Sequence, residues 1–254
     1  IERPMVIIDE TTYKMYYTGY GIVSGVSEVR LLHASSSDGI NWTPNHTTPI
    51  LPLGGSGAFD EKHNGFCWVI KDGSTYKMWY TGSNNADPEV SNWQIGYATS
   101  SDGVTWVRNG DTPVLAKGGA GQWDSSGIGA PSVIKDGSVY KMWYTGWIST
   151  GDSEQYGFGY ATSADGMNWT KNPGNPVLLP GNPGSWDSWE AGMPSVIKEG
   201  GVYRMWYYGI QSDNEPDRIG YAYSYNGINW TKYDGNPVLM NGQFSSFDEH
   251  GSWD

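Results

Sequence analysis

A chain of 254 residues is long enough to bury a sizeable core and, as one all-β domain, is of ordinary length. Its 27 Asp and Glu against 15 Lys and Arg leave a net charge of −12 without any basic stripe, which excludes nucleic acid and anionic membrane surfaces as partners. No apolar run is long enough to span a bilayer, and 36 Gly, 18 Tyr and 14 Trp against 5 Phe describe a turn-rich chain with amphipathic aromatics, as in β architectures and surfaces that meet sugars.

The chain opens on Ile1 and reads as a mature or excised segment. Its first strong phrase, "VIIDETTYKMYYTG" from Val6, returns as "VIKDGSTYKMWYTG" from Val69, "VIKDGSVYKMWYTG" from Val133 and "VIKEGGVYRMWYYG" from Val196, at spacings of 63, 64 and 63 residues. A second phrase follows in each copy and ends at Trp42, Trp106, Trp169 and Trp230. Then come "TPILP", "TPVLA", "NPVLL" and "NPVLM", and after them Phe59-Asp60, Trp123-Asp124, Trp186-Asp187 and Phe247-Asp248. Asp72-Gly73, Asp136-Gly137 and Glu199-Gly200 close one turn of the unit, and Asp38-Gly39, Asp102-Gly103, Asp165-Gly166 and Asn226-Gly227 close another. Such pairs supply the positive φ angles that tight hairpins need. Tyr140, Met142 and Tyr144 alternate with Lys141, Trp143 and Thr145, a period of two.

Four short strands repeated at this length predict an all-β fold, a β-propeller of four-stranded antiparallel blades. Four repeats fill residues 1–254 as a single domain, with blades over about 4–66, 67–130, 131–193 and 194–254 and inner strands beginning near Pro4, Cys67, Pro131 and Pro194. Cys67, the single cysteine, excludes an internal disulfide and reads as a small buried thiol. Asn41, Asn45, Asn168 and Asn229 each open an Asn-x-Thr acceptor, three of them within the repeated turn, so a structural motif explains them better than glycosylation does.

A meander puts both repetitive Gly turns on one face and the unequal loops, roughly 20–28, 83–93, 147–156 and 210–217, on the other with the blade crossings. A residue present in all units is expected to hold a blade together, and a polar residue present in one unit is a candidate for a task. By this rule Asp60, Asp124, Asp187 and Asp248 are blade-locking carboxylates. The singletons are Glu61, Lys62, His63, Trp189, Glu190, Glu249, His250, Trp253 and Asp254, with Glu2 and Arg3 before the first inner strand. His63, Gly127 and Glu190 occupy equivalent crossings. Trp189 beside Glu190 suits sugar stacking and a raised carboxyl pKa. The acidic loop "SDNEPD", Ser212–Asp217, is the one place where calcium is conceivable; no other metal and no cofactor is expected.

The phrases "YKMWYTG", "IGYATSSDGVTW", "NPVL" and "SWD" resemble the propellers of the family 43 and family 32 glycoside hydrolases along essentially the whole chain. That resemblance implies a propeller, typically of five blades, acting on furanosides and related sugars through an Asp-Pro base, a further Asp and an acid in a Glu-x-Pro setting. Glu2-Arg3-Pro4 matches the acid, while Phe66, Ala130 and Met193 precede the other inner strands where an aspartate base would stand. Asp254 would precede a further inner strand, and Glu190 matches no family motif.

Two readings follow. In the first the chain is a glycoside hydrolase using Glu190 and Glu2 as paired carboxylates, with Asp254 in reserve and Trp189, His63, Arg3, His250 and Trp253 binding substrate. In the second it is a non-catalytic carbohydrate-binding or cell-surface propeller. Both make carbohydrate the partner and the exterior or surface of the cell the location.

Overall fold

The computed structural model describes residues 2–23, 25–44, 48–88, 92–151, 153–212 and 215–242. They form an all-β propeller fold of four antiparallel four-stranded blades. β1 (Glu2–Asp9), β2 (Thr12–Val23), β3 (Val26–Ser36) and β4 (Thr43–Pro44) make the first. β5 (His63–Asp72), β6 (Thr75–Ser83), β7 (Gln94–Ser100) and β8 (Val107–Arg108) make the second. β9 (Gly127–Asp136), β10 (Val139–Thr150), β11 (Ser153–Ser163) and β12 (Thr170–Lys171) make the third. β13 (Glu190–Glu199), β14 (Val202–Ile210), β15 (Arg218–Ser224) and β16 (Thr231–Lys232) make the fourth.

The chain divides into two compact units. Ile1–Lys117 with Ile128–Pro131 carry the first two blades, and Gly118–Gly127 with Ser132–Asp254 carry the remainder of β9 and the strands that follow. Each unit has its own aromatic and aliphatic core. Tyr16, Leu31, Val69, Met78 and Tyr80 are buried together in the first. Trp143, Phe158, Val196, Met205 and Tyr207 are buried together in the second.

The inner strands of the second, third and fourth blades begin four residues before Cys67, Pro131 and Pro194, and that of the first two residues before Pro4, because each contains a bulge. Arg3, Phe66, Ala130 and Met193 all take positive φ, between 46° and 56°. Pairing resumes beyond them, with register shifts between Glu2 and Met5, Gly65 and Trp68, and Gly192 and Ser195. The kink is held by a threonine of the preceding blade. Thr18 Oγ1 accepts from the Phe66 N–H at 2.8 Å, Thr81 Oγ1 from Ala130 at 2.9 Å and Thr145 Oγ1 from Met193 at 2.7 Å. Gly65, Gly129 and Gly192, just before Phe66, Ala130 and Met193, permit this approach; a Cβ on Gly129 would lie 2.8 Å from Thr81 Cγ2.

The repeated carboxylates lock blades. Asp60 is fully buried, accepts from Tyr80 Oη at 2.7 Å and pairs with Arg108 of β8. Asp124 pairs with Lys171 at 2.5 Å, and Asp187 with Lys232 at 2.5 Å. Each ties the crossing segment to the outer strand of the blade it enters. Asp248 lies outside the described residues.

The Gly turn after each third strand is built on one side chain. Asp38 Oδ1 accepts from the Ile40 and Asn41 N–H groups, Asp102 from Val104 and Thr105, and Asp165 from Met167 and Asn168. The acceptor amides of Asn41 and Asn168 are engaged in the same turns, donating to Asp38 Oδ2 at 2.8 Å and Asp165 Oδ2 at 2.7 Å. These donors hold the three carboxyls below their usual range, Asp102 at about 2.

Two expectations follow. Thr145→Val keeps the shape of the side chain but leaves the Met193 N–H without its acceptor, and should lower unfolding free energy by about 1–3 kcal/mol, read from the urea midpoint. The turn carboxylates have folded pKa values below the unfolded value of about 3.9, so their stabilisation is complete above that pH and is lost as pH falls. Melting temperature should therefore drop on acidification from about pH 4. A variant with Asn at 38, 102 and 165 should drop less, since Asn226 already makes the fourth turn with an amide oxygen.

Candidate functional site

In the first unit, Glu2 opens β1 opposite Thr18, at the position that Gly65 fills in the next blade. It is half-buried, and Tyr20 Oη donates to its Oε2 at 2.9 Å. Burial raises its pKa, and the Tyr20 bond opposes that rise without cancelling it. Arg3 follows in the left-handed conformation, its guanidinium 6.0 Å from the centroid of Phe66, the equivalent residue of the second blade. Phe66 packs edge-on against Trp93, and Trp93 stands 5.7 Å from the His63 ring.

His63 does not have the exposed position that a sugar contact requires. It is 1 % exposed, and its Nδ1 accepts from the Val29 N–H at 3.2 Å, so the neutral ring joins the first blade to the second. Burial lowers its pKa, which keeps it neutral. Asn64 does the same work beside it, accepting from the Leu31 N–H and donating to the Leu51 carbonyl. Cys67 is buried, its thiol pushed up to about 12 by burial, and is unsuited to nucleophilic duty.

In the second unit, Glu190 opens β13 opposite Ile210 and is half-buried. Tyr208 Oη donates to Glu190 Oε2 at 3.4 Å. Tyr156 has its phenol pushed far up, first by burial and then by the Glu190 charge, and it donates to Glu154. Its ring lies 6.2 Å from Trp147. Trp189 is 44 % exposed while its N–H is fixed to the Ile210 carbonyl at 3.0 Å, so an indole face is presented to solvent from a rigid backbone. The arrangement suits a pyranose or furanose ring, with an apolar face to cover C–H groups and a carboxylate to accept from hydroxyls.

Gly127 explains why the third blade lacks this carboxylate. A Cβ there would lie 2.3 Å from Trp147 Cζ2, so the indole occupies the room that a side chain would need. Repetition alone does not mark Tyr20, Tyr156 or Tyr208, the tyrosines around Glu2 and Glu190, as site residues. Tyr208 is legible only as a departure, because it stands where Thr18, Thr81 and Thr145 stand in the other units. Asp254, His250 and Trp253 lie outside the described residues. In the 212–217 loop, Glu215 pairs with Arg218 at 2.8 Å, and among the described residues no cluster of three metal-ligating side chains occurs.

Comparison with known proteins accords with this geometry. The fold is that of glycoside hydrolase propellers: a solved glycoside hydrolase superposes over 98 % of this chain and 77 % of its own length, with a TM-score of 0.81 at 20 % identity. A family 32 β-fructofuranosidase of Bombyx mori superposes over 89 % of this chain and 47 % of its own, with a TM-score of 0.63 at 18 % identity. The model of the glycosyl hydrolases family 32 N-terminal domain matches residues 64–234, and the chain belongs to that family. An uncharacterized protein of Mycobacterium tuberculosis is 32 % identical over 185 residues, 72 % of this chain. This chain spans 58 % of that relative's length. The vacuolar acid β-fructofuranosidase 4 of Arabidopsis thaliana is 35 % identical over 115 residues, 41 % of this chain and 16 % of the plant protein.

Gly127→Ala should destabilise the protein by about 1–3 kcal/mol through the forced contact with Trp147, measured by urea denaturation.

Proposed function

We propose that the chain is the propeller of a glycoside hydrolase that acts on furanosides or related glycans, with Glu2 as the general acid. The observation that carries this reading is the state of Glu2. It lies in the Glu-x-Pro setting of Glu2-Arg3-Pro4, is partly withdrawn from water, and has its pKa raised by burial. A carboxyl of that kind holds its proton to higher pH than a fully exposed one and can deliver it to a leaving oxygen. Tyr20 fixes the orientation of the carboxyl. Family membership and the β-fructofuranosidase names among the relatives support a furanoside as the sugar class. Trp189 and Glu190 are assigned to sugar contact, the indole by stacking and the carboxylate by accepting from hydroxyls. The chemistry draws on side chains alone, and action on external glycans accords with a location outside or on the surface of the cell.

One observation favours carbohydrate binding without hydrolysis. The bulge residues Arg3, Phe66, Ala130 and Met193 include no carboxylate, where the resemblance implies an Asp-Pro base.

Turnover of a panel of arabino-, xylo- and fructo-oligosaccharides separates the two. On the hydrolytic reading the parent chain cleaves at least one of them, and Glu2→Gln lowers kcat on it by about 10²-fold or more without a loss of melting temperature. Tyr20→Phe removes the bond that holds the Glu2 pKa down, so the alkaline limb of the kcat profile should move to higher pH. Oligosaccharide binding by the parent without any turnover would select the non-catalytic reading, and a Glu2→Gln variant with parental kcat would remove Glu2 from the role of acid.

A further inference from the structure

The chain has five arginines, and four of them are matched with carboxylates. Arg30 pairs with Glu28, Arg108 with Asp60 and Asp111, Arg204 with Glu199 and Arg218 with Glu215. Arg3 is the exception. Among the described residues it forms no ion pair, and its Nη1 is buried without a hydrogen-bond partner. In a chain of net charge −12 carboxylates are plentiful, so an arginine left without one is a departure from what composition alone would produce.

Its surroundings are also unlike those of the other four. The bulge position is filled by Phe66, Ala130 and Met193 in the other blades, and only here does it carry a charge. The guanidinium is packed toward the face of Phe66. Glu2, its neighbour in sequence, lies within Coulombic reach, but Oε2 of that carboxyl is already taken by Tyr20. Burial lowers the Arg3 pKa to about 10, so the group stays cationic at neutral pH while poorly hydrated. A buried guanidinium donor with no acceptor costs free energy in the empty protein. That cost is removed when an acceptor arrives, and the planar fork is matched best by an oxyanion.

We propose that Arg3 is a specificity residue for an anionic substituent, a carboxylate or sulfate carried by the glycan, so that the sugar bound in the first unit is an acidic one. The inference rests on the reading of the chain as carbohydrate-active, and it adds to that reading the charge of the ligand. Arg3 and Phe66 are each half-buried and Tyr20, within Coulombic reach of the guanidinium, is 47 % exposed, so the position lies at the margin of the solvent-exposed surface.

The test is a binding series by calorimetry on the folded chain with tetragalacturonate, its fully methyl-esterified form, a sulfated tetrasaccharide and the same tetrasaccharide without sulfate. At least one acidic member should bind ten-fold or more tightly than its neutral counterpart, and the preference should weaken as salt is raised. The carboxylate and sulfate arms tell which oxyanion is read. Arg3→Gln should abolish the preference and leave binding of the neutral members within about two-fold, while Arg3→Lys should restore part of it; melting temperatures of both variants establish that they fold. Equal binding of acidic and neutral members, an unchanged preference in Arg3→Gln, or no binding of any member overturns the proposal. Its failure is distinct from that of the hydrolytic reading. Parental turnover by Glu2→Gln with an Arg3-dependent preference removes only the acid, and Glu2-dependent turnover of neutral furanosides together with equal binding of acidic and neutral members removes only the anion.

Discussion

Within each unit the blades are joined at a point where the backbone takes a conformation that side chains resist. A non-glycine residue in the left-handed region costs about 1–2 kcal/mol, and the fold accepts that cost at the same place in every inner strand. The recompense is local. The kink turns one N–H out of the ladder, and a threonine hydroxyl from the blade before accepts it at 2.7–2.9 Å in all three places where the pair is described. A glycine beside the kink lets the two backbones close. Much of what gives the inner strands their character depends on this arrangement, including which side chains are swung out of the sheet. Arg3 and Phe66 meet because both sit on such a kink.

The repeat made the blades legible in advance. Period-two alternation, the Asp-Gly turns and the spacing near 63 residues each report a local preference, and local preferences agree with the fold here. The starts of the inner strands were hidden for the same physical reason that the kink matters. A bulge interrupts the alternation, so the pattern restarts at Pro4, Cys67, Pro131 and Pro194 although pairing has already begun, four residues earlier at His63 and Glu190.

The site was less legible, and His63 shows why. A polar residue found in one blade alone is a candidate for a task at the surface, yet a singleton can equally be a joint peculiar to two neighbouring blades. His63 is that, spent on the Val29 N–H and packed on Trp93. Glu2 and Glu190 differ from it in staying half-buried, each accepting from a tyrosine hydroxyl. Environment separates the carboxyls of this chain into two kinds. Those of the turns accept several N–H groups and ionise readily, whereas Glu2 is short of water and donors and holds its proton longer. Sequence gives the residue type, and only packing gives the proton.

The outermost strand of every blade is two residues long, and in the second, third and fourth blades its last residue is Arg108, Lys171 or Lys232. Those cations reach inward to Asp60, Asp124 and Asp187, while farther along the blade only single bridges such as Ile95 to Leu115 and Phe158 to Leu178 continue the edge. A chain whose regular structure is all strand risks adding foreign strands at its open margins, and a margin this short, ending in a charge, gives another chain almost no ladder to extend. The carboxylates that fasten each blade thereby also help to keep one molecule from joining its sheets to the next.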